Sequence, residues 1–133
     1  MKNIIAMAVF IKDGKVLIEK RKKDEDNYAG LWAFPGGHKN KEEKIEETLL
    51  REMNEELNID ISSYKFIGTF ENIDPTSKES YQHNAFLCDR WSGKITETEE
   101  EEGIKWIEIE EIKELKDVSK PTLQVLEKLK DMV

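Results

Sequence analysis

Residues 49–58 read LLREMNEELN, and the reading of this stretch decides the rest. Ile45, Leu49, Met53 and Leu57 recur at every fourth position, which predicts an amphipathic helix from about Lys44 to Leu57. Carboxylates crowd that helix. Glu52, Glu55 and Glu56 are three and four residues apart, so they are surface neighbours that repel by about 0.2–0.5 kcal/mol per pair. Projected at about 100° per residue with Glu52 as origin, Ile45, Leu49 and Met53 fall at about 20°, 60° and 100°. On that projection Glu56 falls at about 40°, inside the apolar stripe, and Glu55 at about 300°, on its flank. Glu52 and Glu56 are therefore expected to point toward the body of the protein. Arg51, at about 260°, faces Glu55 and Glu47 and projects away from Glu56. Partly buried carboxylates this close repel by about 4 kcal/mol per pair at an effective dielectric of about 20, so a proton or a cation must sit among them. A hard divalent ion with oxygen ligands fits, and Mg2+ commonly completes its shell with substrate phosphates. The helix alone thus points to phosphate chemistry.

The flanking sequence places this helix in a mixed α/β fold. Ile4–Ile11 and Lys15–Arg21 are rich in β-branched residues and flank Asp13-Gly14, a favoured hairpin turn. A polar loop, the short apolar run LWAF and the breaker Pro35-Gly36-Gly37 lead into the helix. After it, YKFIGTF and YQHNAFLCDRW read as strands joined by a loop around Pro75, and IKWIEI (Ile104–Ile109) as another. The acidic run Glu97–Glu102, broken by Thr98, reads as a solvated loop. Pro121 opens a closing helix whose Leu123, Leu126 and Leu129 are expected to face inward. Trp32, Phe34, Trp91 and Trp106 are expected in or near the core, and His83 to be packed in its strand or on the surface.

Composition narrows the function. The 133 residues suit one domain spanning the whole chain, 1–133. A net charge of -8 argues against a sequence-independent grip on a nucleic-acid polymer, which needs a basic face. A small ligand that arrives with its own metal ions is compatible with that charge. The single cysteine, Cys88, permits no intrachain disulfide and suits a cytoplasmic setting as core filler. No stretch reaches the ~20 apolar residues of a membrane span, so no membrane is expected as a partner. The chain could act as monomer or homodimer.

Beyond these inferences, Gly37, Glu43, Arg51, Glu52, Met53, Glu55, Glu56 and Ile59 stand at the spacing G-x5-E-x7-R-E-U-x-E-E-x-G-U, where U is bulky and apolar. This resembles the Nudix box. Six fixed polar or glycine positions match, and at ~7% usage per residue type that would arise by chance about once in ten million starting positions. One position departs: the glycine after the helix is Asn58, the next most tolerated residue for a left-handed cap.

The resemblance implies a Nudix-type α/β/α sandwich around a mixed β-sheet, and a pyrophosphohydrolase that cleaves a nucleoside diphosphate linked to another moiety. It also implies that Glu52, Glu55, Glu56 and the Gly36 carbonyl are ligands to Mg2+ or Mn2+, with Glu43 and Arg51 orienting them. Glu100, six residues before Trp106, is the matching candidate in the acidic run for taking the attacking water's proton and joining the metal, with Glu99 next. Arg21 and His38 would meet phosphate, Phe86 or Tyr28 would stack on a base, and Ser119 stands where members acting on oxidised guanine nucleotides often carry Asn. A small-molecule nucleotide is the expected partner, a (deoxy)nucleoside triphosphate cleaved to monophosphate and pyrophosphate. An ADP-ribose or nucleotide-sugar pyrophosphatase is the alternative, for which Pro75 speaks. An inactive Nudix-fold nucleotide sensor or interaction module is the alternative of another class, though such domains typically lose box carboxylates. A di-iron bundle would want Glu-x-x-His helices, and neither histidine has that spacing.

Overall fold

The computed structural model describes residues 3–25, 27–96 and 103–132. Strands β1 (Asn3–Lys12) and β2 (Lys15–Lys20) form the expected hairpin, turned by Asp13 and Gly14 at φ 52° and 76°. The two strands pair only at Ile11–Val16 and Lys12–Lys15 before they part. Each then finds other partners. β2 pairs antiparallel with β3 (Trp32–Ala33) and β7 (Ile104–Glu108). On one edge β1 takes β4 (Gly36–His38), and on the other it runs parallel to β6 (Ser80–Ser92), which pairs antiparallel with β5 (Asp60–Ile73). The sheet is therefore mixed, and a cleft opens where β1 and β2 separate.

Helices cover both faces. On one, Ala6, Ala8 and Phe10 of β1 and Leu17 of β2 meet Leu49 and Met53 of α1 (Ile45–Leu57). Two fully buried alanines let that helix lie close to the strand. On the other face Met7 and Val9 of β1, with Val16 and Ile18 of β2, pack against Val125, Leu126 and Leu129 of α3 (Lys120–Met132) and Ile112 of the short α2 (Ile109–Ile112). Strand alternation divides β1 and β2 between two cores. Cys88 is buried in the α1 core, where burial pushes its thiol up to about 12, so it serves as filler. Trp32 and Phe34 are buried, while Trp91 and Trp106 stack on each other with ring centroids 6.0 Å apart.

Four local readings are corrected. Leu123 is 41% exposed and Val125 takes the inward position. Ile109 begins α2 instead of ending a strand, and Gly36–His38 continues into a strand because the free edge of β1 accepts it. The long β5–β6 ladder recruits polar residues well beyond the apolar runs, since pairing satisfies their backbone groups. No helix among the described residues is long and apolar enough to cross a membrane.

Truncating Leu49, fully buried under α1, should cost about 3 kcal/mol in urea denaturation, and truncating Leu123 about 0.5 kcal/mol or less.

Candidate active site

Helix α1 is launched by Lys44, whose extended backbone donates its N–H to Glu47 Oε1 at 2.8 Å, and Glu46 and Glu47 oppose the positive end of the helix dipole. Asn58 ends it at φ 55°, ψ 43°, donating its N–H to Asn54 O at 3.0 Å. That is the left-handed cap expected of the residue that replaces glycine. With Leu49 and Met53 turned into the core, the charged residues are left along the side of the helix that meets β4 and β2.

Arg51 organises them. Its guanidinium grips Glu43 with two hydrogen bonds, Nε to Oε2 at 2.7 Å and Nη2 to Oε1 at 2.8 Å. It also donates to Glu52 Oε1 at 2.8 Å, to the His38 carbonyl at 3.0 Å and to Glu55 Oε2 at 3.3 Å. Glu43 further accepts from Thr48 Oγ1 at 2.7 Å and Asn40 N at 3.0 Å. Arg51, foremost, and the Asn40 amide hold its carboxyl down, to about 2. The expected pairing of Arg51 with Glu47 does not occur, because Glu47 is committed to the Lys44 amide. Glu52 lies against Gly37: a Cβ on Gly37 would fall 2.1 Å from Glu52 Cδ. Glycine is required there so that β4 can receive the carboxylate.

Glu56 turns the other way and hydrogen-bonds Glu19 of β2. Glu19 was not among the residues singled out from the sequence, although alternation places it on the same face as Leu17, toward α1. Crowding of water away from the Glu56 carboxyl, then the negative charge of Glu19, raise it to about 9, although the residue as a whole is exposed and does not turn into the body as expected. Burial likewise raises Glu19. Two carboxyls in hydrogen-bond contact must share a proton or give it up to a cation.

Among the described residues, no three acidic, histidine or cysteine side chains close into a finished metal cage. Arg51 engages Glu52 and Glu55 while Glu56 faces Glu19, so the box carboxylates are not converged as expected. The donor set nevertheless fits a hard divalent cation. It is all oxygen, the Gly37 cradle admits Glu52, and a cation could replace the proton between Glu19 and Glu56.

The other candidate residues border the cleft, with exceptions. Gly36 pairs with Met7 and, with Gly37, walls a pocket that also contains Arg21, His38 and Ser119. Arg21 is held there by its Nε donating to Asn27 O at 2.9 Å. His38 is exposed, its ring 6.1 Å from that of Tyr81. Ser119 donates its hydroxyl to Thr122 Oγ1 at 2.8 Å and accepts from the Thr122 amide at 3.3 Å, so it serves as the cap of α3. Phe86 is a correction: it is buried in the core under α1, among Leu49, Met53 and Phe66, and does not line the pocket. Its even-numbered place on β6 sends it to that face, whereas His83 and Ala85 face away from it. Tyr28 and His83 do line the pocket. Glu99 and Glu100 lie outside the described residues.

The arrangement matches a known class throughout. A family profile described as the NUDIX domain matches residues 2–129, and the chain belongs to that family. An 8-oxo-dGTP diphosphatase of Buchnera aphidicola subsp. Schizaphis graminum is 30% identical over 109 residues, 82% of this chain and 79% of that protein. A CTP pyrophosphohydrolase of Escherichia coli is 33% identical over 67 residues, 50% of this chain and 49% of that one. Among solved structures, a MutT NUDIX hydrolase from Burkholderia pseudomallei superposes with a TM-score of 0.81 at 25% identity, covering 96% of this chain and 98% of its own. Members of this family generally use divalent metals.

The raised Glu56 carboxyl gives a signed prediction for metal-free protein. Its pKa is about 4.3 in an unfolded chain and about 9 when folded, so its contribution to stability is complete below the first value and lost as pH climbs through the second. Thermal denaturation in chelator should show the melting temperature falling from pH 5 to 9. Solvent access to Glu56 keeps the amplitude modest, and Glu56→Gln should flatten the slope.

Proposed function

We propose that the chain is a pyrophosphohydrolase dependent on Mg2+ or Mn2+, converting a (deoxy)nucleoside triphosphate to the monophosphate and pyrophosphate by attack of water at phosphorus. Gly37 carries the reading: its backbone walls the pocket, while the volume its missing Cβ leaves open is filled by the Glu52 carboxylate. A ligand in the pocket therefore lies one backbone away from the charged cluster. The relatives' names support a nucleoside triphosphate over a nucleotide conjugate, since they specify 8-oxo-dGTP and CTP.

In this reading Glu52, Glu55, Glu56 and the Gly36 carbonyl hold the cation, and Glu19 stands beside Glu56 at the same place. The bound cation would neutralise the diphosphate and acidify the attacking water. Glu43 and the Arg51 guanidinium set the position of Glu52 through the short hydrogen bonds described above. Arg21 offers its positive charge to a phosphate oxygen from the end of β2, and His38 adds a donor at the rim. The water's proton passes to a carboxylate, for which Glu100 of the acidic run is the assigned acceptor. A single buried thiol fits a cytoplasmic setting for such an enzyme.

The test is phosphate release, with inorganic pyrophosphatase added, from nucleoside triphosphates, ADP-ribose and UDP-sugars with and without Mg2+ or Mn2+. Glu56→Gln should lower kcat by about 100-fold or more, in the range of lost charge stabilisation. Gly37→Ala, whose methyl would collide with Glu52, should impair turnover similarly while leaving a folded protein. Activity that survives both substitutions, or that ignores the metals, would refute the assignment.

A further inference from the structure

Two residues that line the pocket each carry a buried polar atom that meets no hydrogen-bond partner among the described residues. The atoms are Tyr28 Oη and His83 Nδ1, both screened from solvent. Their residues are 4% and 6% exposed, and their rings stand edge to face with centroids 5.4 Å apart. Unmet polar groups in a protein interior are rare, and each calls for an explanation.

The backbone places Tyr28 at some expense. It adopts φ 46°, a left-handed conformation that a bulky side chain seldom takes. Asp74, fully buried between β5 and β6, holds it there by accepting the Tyr28 N–H at 2.8 Å. Burial disfavours the Asp74 carboxylate, but donors from Ser77, Tyr28 and Thr76 outweigh it and keep the pKa below the ordinary value. The Asp74 clamp thus fixes the loop after β2 to the β5–β6 connection, 46 residues away in sequence. It also sets the phenol against Tyr81 and His83.

Both unmet groups are uncharged near neutral pH. Burial, then the charge of Asp74, pushes the Tyr28 hydroxyl up to about 12. Burial, then the positive charge of Arg21, takes His83 down to about 4. Phosphate would be drawn instead to Arg21, the positive charge in the pocket lining. Ile5, Met7 and Phe34 supply the remaining apolar walls, suited to the faces of a planar heterocycle.

We propose that Tyr28 and His83 are specificity-determining residues that hydrogen-bond the polar edge of the substrate's nucleobase. The inference rests on the nucleotide reading of the site given above. Neither atom is open to solvent, so a base that reaches them must shift the Tyr28 side chain or its loop. A site with two buried groups to satisfy rejects a base whose edge cannot match them, because the mismatch leaves them unmet.

Tyr28→Phe removes one oxygen and His83→Phe keeps a ring, and both are to be assayed against the adenine, guanine, cytosine and uracil triphosphates. For the preferred base, Tyr28→Phe should raise KM about tenfold with kcat within about twofold, and shrink the ratio of kcat/KM between best and worst base about tenfold. His83→Phe should act in the same direction; if that variant does not fold, Tyr28→Phe alone decides. Because the hydroxyl has no partner among the described residues, Tyr28→Phe should keep or raise the melting temperature. An unchanged base preference in folded Tyr28→Phe would overturn the proposal and leave the pair a purely structural feature. Should the wild type hydrolyse no nucleotide, the nucleotide-hydrolase reading fails, and calorimetry with the four nucleoside monophosphates decides this one. Base-selective binding weakened by Tyr28→Phe would uphold the pair's role, and binding without base preference would overturn it.

Discussion

β1 and β2 hydrogen-bond through only two residue pairs before they separate, and the rest of the molecule is built around that parting. Backbone groups freed by the split must be paired again, so β4 takes the edge of β1 while β3 and β7 flank β2. The parting creates the cleft. Had the hairpin zipped to its ends, Arg21 and the Gly36–His38 strand would have no pocket to share, and β4 would have no edge to occupy. The two hydrophobic cores, one under α1 and one under α3, hold the divided strands in place.

Within that frame, charge is concentrated where the backbone can receive it. Arg51 serves as the local counter-ion, gripping Glu43 with two bonds at 2.7 and 2.8 Å. It holds Glu52 against a glycine whose missing side chain leaves room for the carboxylate. Glu19 and Glu56 are left facing each other, and burial foremost raises both carboxyls against the opposing charge of Arg21, while the hydrogen bond from Arg51 holds Glu43 down. Helix α1 thus carries Glu52, bonded by Arg51, and Glu56, set against Glu19, about one turn apart.

Much of this was legible in the order of residues. The period-four stripe fixed which face of α1 turns inward, the box spacing named its charged partners, and Asp13-Gly14 placed the hairpin. The left-handed cap at Asn58 also followed from residue type. Less legible were contacts made across the fold. Phe86 looked available for stacking on a base, yet strand parity on β6 sends it under α1. Leu123 fits a helical stripe drawn on paper, but α3 lies rotated so that Val125 fills the core. Glu19 follows the apolar run Val16–Ile18 of β2, and alternation could have identified it once α1 was known to cover that face.

The sequence by itself determined the main helices and strands, the family resemblance and the chemical type of the cluster, because helix periodicity, turn chemistry and box spacing are properties of residues near one another in the chain. Tertiary structure alone decided which carboxylates meet. Arg51 pairs with Glu43 and not Glu47, Glu56 with Glu19, and Tyr28 is clamped by Asp74 beside His83. Those contacts join residues 37 positions apart in the Glu19–Glu56 pair, 46 in the Tyr28–Asp74 pair and 55 in the Tyr28–His83 pair. Their geometry depends on how the sheet and the helices on its two faces dock, and Coulomb and hydrogen-bond energies change over distances of an ångström that no local pattern encodes.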